Sequence, residues 1–438
     1  MKMQRFLTQL GLVVLALLAT LPALAEEPVV GTQPLRWWKG NLHTHSLWSD
    51  GNDFPEMIAE WYRTHDYQFL ALSDHNILSE GMRWKKETDI IKRGGSDALT
   101  KYRSRFGDEW VETRGTPGTE EFEIRLKPLT EFRALVEERG RFLLIQGEEI
   151  SDGVQGLPVH LNVTNIQELI QPLSGATVRE AIASNVRAVQ DQADRKGREI
   201  LVHLNHPNFG LAITAEDLAE VLGERFFEVF NGHPGVKQLG DEHHASVERL
   251  WDIANTIRLG QLKAPPLFGI ANDDSHDYHG DRGSRPGRGW TMVQSRYLTP
   301  EYLIRALKAG RFYASTGVEL TEIVYDSKDR ELRVEIKPDE GATYTTQFIG
   351  TPVDYDQASE PAKDASGKEI RATRKYSKDV GQVFATVEGT SATYRLTGQE
   401  LYVRAVITSS KPHHDPTFDG QHQQAWVQPV GWERHVKE

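Results

Sequence analysis

The chain of 438 residues contains no cysteine. Without thiols it can form no disulfide bond, no thiolate-bound metal site and no cysteine nucleophile. A metal ion in this protein would therefore have to be held by histidine, aspartate and glutamate side chains.

Positive charge is also scarce, with 51 Lys and Arg residues against 63 Asp and Glu residues and a formal net charge of -12. Broad electrostatic capture of nucleic acid or of an anionic membrane needs concentrated basic residues, so we expect neither as a partner. Hydrophobic residues make up 38% and charged residues 26%, which is typical of a globular protein. The length predicts two or three domains.

The only long apolar run lies near the N-terminus. Lys2 and Arg5 precede an apolar run over residues 12–21, which ends at Pro22 and is followed by Ala23-Leu24-Ala25. This order is typical of a secretory signal peptide, and the run is shorter than the roughly 20 apolar residues of a membrane-spanning helix, which is the alternative. We predict a signal peptide over residues 1–25, a linker over 26–36, and a periplasmic or secreted mature protein without a stable membrane anchor.

Over residues 37–318, short apolar runs alternate with helical periodicity, and this rhythm predicts an α/β fold with buried parallel strands. The eight candidate strands are a run ending at 43–45 and the runs 69–72, 142–145, 159–163, 200–204, 226–230, 267–270 and 290–293. Most of them end in His, Asp, Glu or Asn. Because the carboxyl ends of strands in a parallel barrel meet at one face, we expect these polar residues to form a site.

Two stretches depart from this rhythm. Residues 81–130 are long and strongly charged, which predicts an insertion that is either a substrate lid or a solvated excursion. From residue 319 to 438, apolar residues alternate with polar ones, as in 332–336, 383–387 and 401–407. This alternation predicts a C-terminal antiparallel β-sandwich-like domain, which we expect to pack on the barrel and to stabilise it.

The strand ends carry a dense set of histidines and carboxylates. His43 and His45 lie two residues apart, so in a strand both imidazoles point the same way and can reach one cation. Similar residues recur along the chain: Ser49-Asp50-Gly51 follows this pair, Asp74-His75 follows the second strand, Glu148-Glu149 the third, His206 the fifth and Asp273-Asp274-Ser275-His276 the seventh, while His160 lies in the fourth. So many ionisable groups in one buried place need counter-ions, and nine ligands suit two or three divalent cations.

These motifs, in this order over residues 37–318, resemble the PHP (polymerase and histidinol phosphatase) superfamily of metal-dependent hydrolases, within it the secreted branch similar to the CehA/McbA metallohydrolases. The resemblance implies a distorted (β/α)7 barrel and a metal-bridging hydroxide as nucleophile. It also implies three sites, whose ligands would be His43, His45, Glu148 and Asp274; then Glu148, His160 and His206; then Asp50, His75 and His276. Manganese, iron and zinc all suit such ligands.

The resemblance leaves three functions open. The first is a phosphoesterase that acts on a small-molecule phosphoester. The second is a carboxyl-ester, amide or carbamate hydrolase of CehA type, because the same metal chemistry can attack carbon esters. The third is a non-catalytic metal-containing binding module, which the complete ligand set disfavours because buried ligands are costly without metal.

Four further residues are weaker candidates. Asp74 is a catalytic candidate that would orient His75 or move a proton, but adjacent strand residues face opposite sides, so a structural role is the alternative. Arg288 is a catalytic candidate that would bind an anionic substrate. Trp48 and Asn231 are candidates for the walls of the substrate pocket, although Asn231-Gly232 also suits a simple turn.

Overall fold

The fold is α/β and is built on one mixed sheet of 13 strands. The computed structural model describes residues 33–436. The predicted signal peptide lies outside these residues, as does the predicted linker up to residue 32. Within residues 33–436, none of the helices has the length and apolar character needed to cross a membrane.

The helices are α1 (Pro55–Thr64), α2 (Glu87–Gly94), α3 (Ala98–Phe106), α4 (Leu129–Val136), α5 (Val178–Lys196), α6 (Ala215–Glu220), α7 (Val247–Thr256) and α8 (Pro300–Lys308), with a π-helix at Ile257–Leu262 and a 3-10 helix at Glu433–His435. The first strands are β1 (Arg36–Asn41), β2 (Phe69–Leu72), β3 (Arg83–Lys86), β4 (Thr113–Arg114), β5 (Glu123–Leu126), β6 (Leu143–Val154), β7 (Leu157–Thr164), β8 (Leu201–Leu204), β9 (Phe226–Asn231), β10 (Phe268–Asn272) and β11 (Trp290–Ser295). They are followed by β12 (Phe312–Ser315), β13 (Leu320–Asp326), β14 (Glu331–Ile336), β15 (Tyr344–Pro352), β16 (Ser359–Glu360), β17 (Lys375–Tyr376), β18 (Gln382–Glu388), β19 (Ser391–Arg395), β20 (Glu400–Pro412) and β21 (His422–Val427).

Each of the eight predicted strand regions of the first part contains or adjoins a strand, and these strands lie in the order β10-β9-β8-β7-β6-β2-β1-β11. A closed (β/α)7 barrel would need β1 to pair with β10. Instead, the free edge of β1 pairs with β11 in antiparallel orientation, so no ladder joins β1 to β10. The two approach only beyond their ends, where Thr44 and Ser275 form a single parallel bridge. The sheet is therefore curved back toward itself but open.

The prediction that all these strands are parallel is wrong for β7 and β11. β7 runs antiparallel to both of its neighbours, β6 and β8. The reason is the connection from β6 to β7, which is only Gln155-Gly156, with φ of 54° and 82°. Two residues with positive φ make a hairpin turn, whereas a parallel crossover needs a dozen residues or more.

The stretch 81–130 is a folded layer. Its strands form a small antiparallel sheet in the order β3-β5-β4, and α2 and α3 pack beside it. Its core is shared with the segment that follows β1, because Leu47, Trp48 and Phe54 are buried in the same hydrophobic cluster as Tyr102 and Ile124. This layer therefore forms a packed wall beside the segment 47–56.

The C-terminal residues form antiparallel strands where the alternating pattern predicted them. β21, β20, β15 and β18 continue the large sheet from the edge of β12, while β13, β14 and β19 form a second sheet. Apolar residues of the two sheets share one core, as Val334 and Phe348 do. The large sheet thus passes without interruption from the first part of the chain into the last, which local alternation could not show.

A buried ion pair joins α7 to this C-terminal part. Arg404 in β20 donates to both carboxylate oxygens of Asp252, from Nε at 2.8 Å and from Nη2 at 2.7 Å. The hydroxyl of Tyr402 also donates to Asp252 at 2.7 Å. The Arg404 side chain is 1% exposed. Because a buried charge is stable only when it is paired, this contact depends on both partners.

We therefore expect Asp252→Ala to lower the free energy of unfolding by about 3–5 kcal/mol, since it leaves the buried guanidinium without its partner. Urea titration followed by tryptophan fluorescence would measure the change. The matched control is Glu248→Ala, which removes a partly exposed partner of the same arginine and should cost about 1 kcal/mol or less. Equal decreases in the free energy of unfolding for both variants would show that the Asp252–Arg404 pair does not stabilise the contact between the two parts.

Candidate metal centre

Nine histidine and carboxylate side chains converge on one region of the large sheet, most of them just beyond the carboxyl ends of its strands. His43 and His45 follow β1, His75 follows β2, His206 follows β8, and Asp274 and His276 follow β10, while Glu149 and His160 lie within β6 and β7 and Asp50 lies in the turn after His45. They meet because the strands they extend are neighbours in one curved sheet. The large α/β sheet therefore presents a single cluster of ligand types at one edge.

The deepest group consists of His43, His45 and Asp274. The Nε2 atoms of His43 and His45 are 3.1 Å apart. Oδ1 of Asp274 lies 3.1 Å from Nε2 of His43 and 3.2 Å from Nε2 of His45. Three ligand atoms this close, all buried, are the arrangement that a cation between them would need.

Glu149 is the centre of the cluster. Its Oε1 lies 3.4 Å from Nε2 of His43, 3.5 Å from Nε2 of His206 and 3.1 Å from Nδ1 of His160. Its Oε2 lies 3.3 Å from Nε2 of His45 and 2.7 Å from Nδ1 of His75. One carboxylate thus faces five imidazoles, which places it where a bridging ligand between two cations would stand.

The third group is the open side of the cluster. Asp50 lies 3.5 Å from Nε2 of His75, 3.5 Å from Nε2 of His276 and 3.7 Å from Nδ1 of His45. Its side chain is 46% exposed, whereas those of His45 and Glu149 are fully buried. Solvent can therefore reach the cluster from this side.

The residues present fit divalent cations. They make four groups of three or four ligand atoms, each group within 4.8 Å. One buried ligand atom, Nδ1 of His45, has no hydrogen-bond partner. A buried polar atom without a partner is costly, and coordination would remove that cost.

The prediction that Glu148 is the bridging ligand is wrong, because its side chain points away from the cluster. Glu148 and Glu149 are adjacent in β6, so their side chains point to opposite faces of the sheet. Oε2 of Glu148 accepts a hydrogen bond from the backbone N–H of Ile170 at 3.1 Å, away from the histidines. Burial raises the pKa of Glu148 to about 8. Glu149 takes the position expected for Glu148.

The pKa shifts in the cluster indicate which of its groups are ionised. Burial opposes ionisation of Glu149 and Asp274, but the surrounding imidazoles hold both pKa values well below the usual range. His75 and His43 contribute most for Glu149, and His43 and His45 contribute most for Asp274. Burial, together with the neighbouring His276 and His75, lowers the pKa of His45 to about 3. The carboxylates are thus ionised and His45 is neutral, which are the forms that bind metal.

A further buried carboxylate, Glu228, orients the cluster and was not identified from the sequence. Its Oε1 lies 2.8 Å from Nδ1 of His43, and its Oε2 accepts from the backbone N–H of His206 at 2.7 Å. By engaging Nδ1, it turns Nε2 of His43 toward Asp274. The sequence did carry a signal, because Glu228 interrupts the apolar run of β9, where a buried charge needs a partner.

Asp74 is placed outside the cluster. Its carboxylate accepts hydrogen bonds from the backbone N–H and the hydroxyl of Ser46, both at 2.8 Å, and from those of Ser49 at 3.0 and 2.6 Å. It therefore fixes the turn that presents Asp50. This geometry matches the structural alternative and gives Asp74 no contact with the reacting region.

Of the other three weak candidates, one lies at the cluster and two do not. Arg288 is buried against Asp415, with Nε at 2.8 Å from Oδ2, and it also donates to the carbonyl of Gly232, so its guanidinium is already engaged. Trp48 is 1% exposed within the core of the 81–130 layer and does not form a pocket wall. Asn231 does lie at the site, because its Nδ2 is 3.1 Å from Oδ2 of Asp274.

Two of the clustered residues have unusual backbone conformations. His206 has φ of 20° and Asp274 has φ of 50°, a region that residues other than glycine rarely adopt. Such conformations persist only where the surroundings enforce them, and they concentrate at functional sites. The backbone thus adds to the evidence from the side chains.

Comparison with known proteins gives only distant likenesses. Neither a family model nor a curated protein matches the chain. A two-domain protein from Bacteroides vulgatus, described as containing a predicted PHP-like metal-dependent phosphoesterase, is 14% identical with a TM-score of 0.37, over 90% of this chain and 95% of that one.

Two other solved structures are similar over a smaller part of the chain. A protein from Bifidobacterium adolescentis, described as a candidate metal-dependent phosphoesterase, is 14% identical with a TM-score of 0.27, over 56% of this chain and 92% of that one. PsfC from Pseudomonas syringae is 10% identical with a TM-score of 0.33, over 62% of this chain and 88% of that one. With TM-scores below 0.5, these likenesses do not decide the function, which depends on the side chains of the site.

The adjacent glutamates make a matched test of the centre. We expect Glu149→Gln to lower the content of tightly bound metal, because it removes the charge that faces five imidazoles. Glu148→Gln should leave metal content unchanged, because that carboxyl faces away and its raised pKa already favours the neutral form. Elemental analysis after dialysis against manganese would measure both, and a loss confined to Glu148→Gln would restore the prediction made from the sequence.

Proposed function

We propose that this protein is an exported metal-dependent hydrolase of the PHP superfamily, and that it acts as a phosphoesterase. The observation that supports this most directly is the convergence of eight of the nine predicted ligands, with Glu149 in place of the ninth. So many ionisable groups buried together, with Nδ1 of His45 left without a hydrogen-bond partner, fit a metal centre.

The ligand groups suggest how cations would be held. His43, His45 and Asp274 would hold one ion. Glu149 would serve two further positions, one with His43 and His206 and one with His75 and His160. Asp50, with His45, His75 and His276, would form the open site. Bound divalent cations supply a water of lowered pKa and neutralise negative charge on a phosphoryl group.

The residues around the ligands hold them in position through hydrogen bonds. Glu228 keeps Nε2 of His43 directed into the cluster, and Asp74 keeps the turn with Asp50 in place. Asn231 donates one hydrogen bond each to Glu228 and Asp274, which ties the two buried carboxylates together. The chain thus preorganises the ligands, so that little rearrangement is needed when a substrate arrives.

A carboxyl-ester, amide or carbamate hydrolase is the second candidate. The observation that favours it is the ring of Phe209, which is half-buried and lies 5.1 Å from the ring of His206 and 6.4 Å from that of His160. An apolar wall beside the cluster suits an aryl group on the substrate. The same wall is compatible with an aryl phosphate, so the reacting group has to be tested directly.

The test is hydrolysis by manganese-loaded protein of nitrophenyl phosphate, bis-nitrophenyl phosphate, nitrophenyl acetate and a nitrophenyl carbamate, with and without chelator. We expect chelator-sensitive turnover of the phosphorus substrates. His206→Ala should lower kcat/KM by at least about 100-fold, because loss of a ligand should exceed the effect of losing a residue that only orients one.

The matched control for this test is His244→Ala, which removes a histidine paired with Asp241 outside the cluster and should retain activity. Turnover restricted to the carbon esters would show that the second candidate function is the correct one. Equal phosphatase rates for wild type and His206→Ala would refute a reaction at this centre.

Export is the remaining part of the proposal. It is supported by the basic, apolar and small-residue order of the first 25 residues. Expression of the full chain in a Gram-negative host should yield a periplasmic protein whose first residue is Glu26, as determined by N-terminal sequencing and mass spectrometry of the periplasmic fraction. A full-length protein that stays in the cytoplasm or the membrane fraction would contradict this.

A further inference from the structure

The basic residues of the 81–130 layer fall into two sets. Those from residue 97 onward each form an ion pair with a carboxylate, as Arg114 does with Glu123 and Lys101 with Asp97. The rest of that set is Arg103, Arg105, Arg125 and Lys127. By contrast, the basic residues of β3 and α2, namely Arg83, Lys85, Lys86, Lys92 and Arg93, form no ion pair within residues 33–436.

Three of these unpaired cations border the turn that carries Asp50. Arg93 donates from Nη1 to the carbonyl of Ser49 at 3.0 Å, and Nζ of Lys85 lies 3.5 Å from the same oxygen. The guanidinium of Arg83 lies over the ring of Trp48, 5.8 Å from its centre. Ser49 precedes Asp50, which is the exposed ligand at the open side of the cluster.

A carbonyl oxygen accepts hydrogen bonds but carries no net charge, so the contacts with Ser49 do not neutralise Lys85 or Arg93. Burial, together with the neighbouring Arg93 and Arg83, lowers the pKa of Lys85, and the attraction of Asp89 and Asp74 offsets this only in part. Like charges held close together repel one another, and an anion bound between them would relieve that repulsion. Their position beside the open side of the cluster means that such an anion would belong to a molecule that also reaches the ligands.

We propose that Arg83, Lys85 and Arg93 bind a second anionic group of the substrate, a carboxylate or a phosphate carried away from the scissile phosphoryl group. The proposal rests on the phosphoesterase function for the chemistry at the cluster. It assigns to the 81–130 layer the recognition of charge that the sequence assigned to Arg288, whose guanidinium is engaged by Asp415.

The test compares three aryl phosphates that differ at one position, namely 4-(carboxymethyl)phenyl phosphate, 4-(phosphonomethyl)phenyl phosphate and the neutral 4-(carbamoylmethyl)phenyl phosphate. The methylene group keeps the leaving groups similar. We expect wild type to favour the anionic substrates. In Lys85→Ala/Arg93→Ala, KM for them should rise about 10- to 100-fold with kcat nearly unchanged, because the lost contact acts equally in the ground and transition states.

The neutral substrate separates this role from a structural one. If Lys85 and Arg93 only held the Ser49 carbonyl, the double variant would lose activity equally on all three substrates, and that result would overturn the proposal. Arg93→Lys, which keeps the charge, should keep most of the preference. The matched control is Lys101→Ala/Arg114→Ala, which removes two paired cations of the same layer and should keep the wild-type preference. The two anionic substrates show whether a carboxylate or a phosphate is preferred.

A binding measurement keeps the proposal testable apart from catalysis. Calorimetry with manganese-loaded protein would compare 4-(carboxymethyl)benzylphosphonate with its neutral amide, neither of which has a hydrolysable phosphoester bond. Tighter binding of the carboxylate by wild type, abolished in Lys85→Ala/Arg93→Ala, would support the inference even if no phosphate ester were hydrolysed, which would refute only the proposed function. Equal binding of the two phosphonates, or no binding of either, would overturn the inference.

Discussion

The structure depends on one electrostatic constraint, which is that a fully buried carboxylate must have its charge compensated. Glu149 meets this constraint by facing five imidazoles, and the rest of the site is arranged around that contact. The five imidazoles come from four separate segments of the chain, so the contact can exist only if the strands of the large sheet are correctly ordered. The site therefore depends on the register of the fold, since a shift of β6 by one residue would replace Glu149 with Glu148 at this position.

Around this centre, further buried polar groups that are not candidate ligands hold the candidate ligands in place. Glu228 sets the orientation of His43, and Asp74 holds the turn between His45 and Asp50 through four hydrogen bonds. The left-handed backbone at His206 and Asp274 is sustained by the same surroundings. Such a layer reduces the freedom of the ligands, which is the condition for a preorganised metal site.

The parts of the chain outside the curved sheet also act on the site. The C-terminal strands extend the sheet, and Asp415 from this region engages Arg288 in the loop that follows β10. The 81–130 layer packs on the segment between His45 and α1 and leaves its unpaired cations at the open side of the cluster. The first contribution holds the loop after β10, which carries Asp274 and His276, and the second places positive charge beside the turn with Asp50.

The sequence by itself determined where most strands lie and which side chains would gather at their ends. Both are local properties, because a buried strand is a short apolar run and a ligand that follows it is visible as a polar residue at the end of that run. Eight of the nine predicted ligands are brought together, and Glu228 could have been suspected from its place inside an apolar strand.

Only the tertiary structure decided the remaining features. Whether Glu148 or Glu149 faces the histidines depends on the register of β6 against β7, and the direction of β7 depends on a two-residue turn. The open sheet results from the pairing of β1 with β11, and Asp415 engages Arg288 across 127 positions of the chain. Apart from that turn, each of these is a contact between residues distant in sequence, whose partners local periodicity does not specify, because pairing energy depends on what lies across the interface.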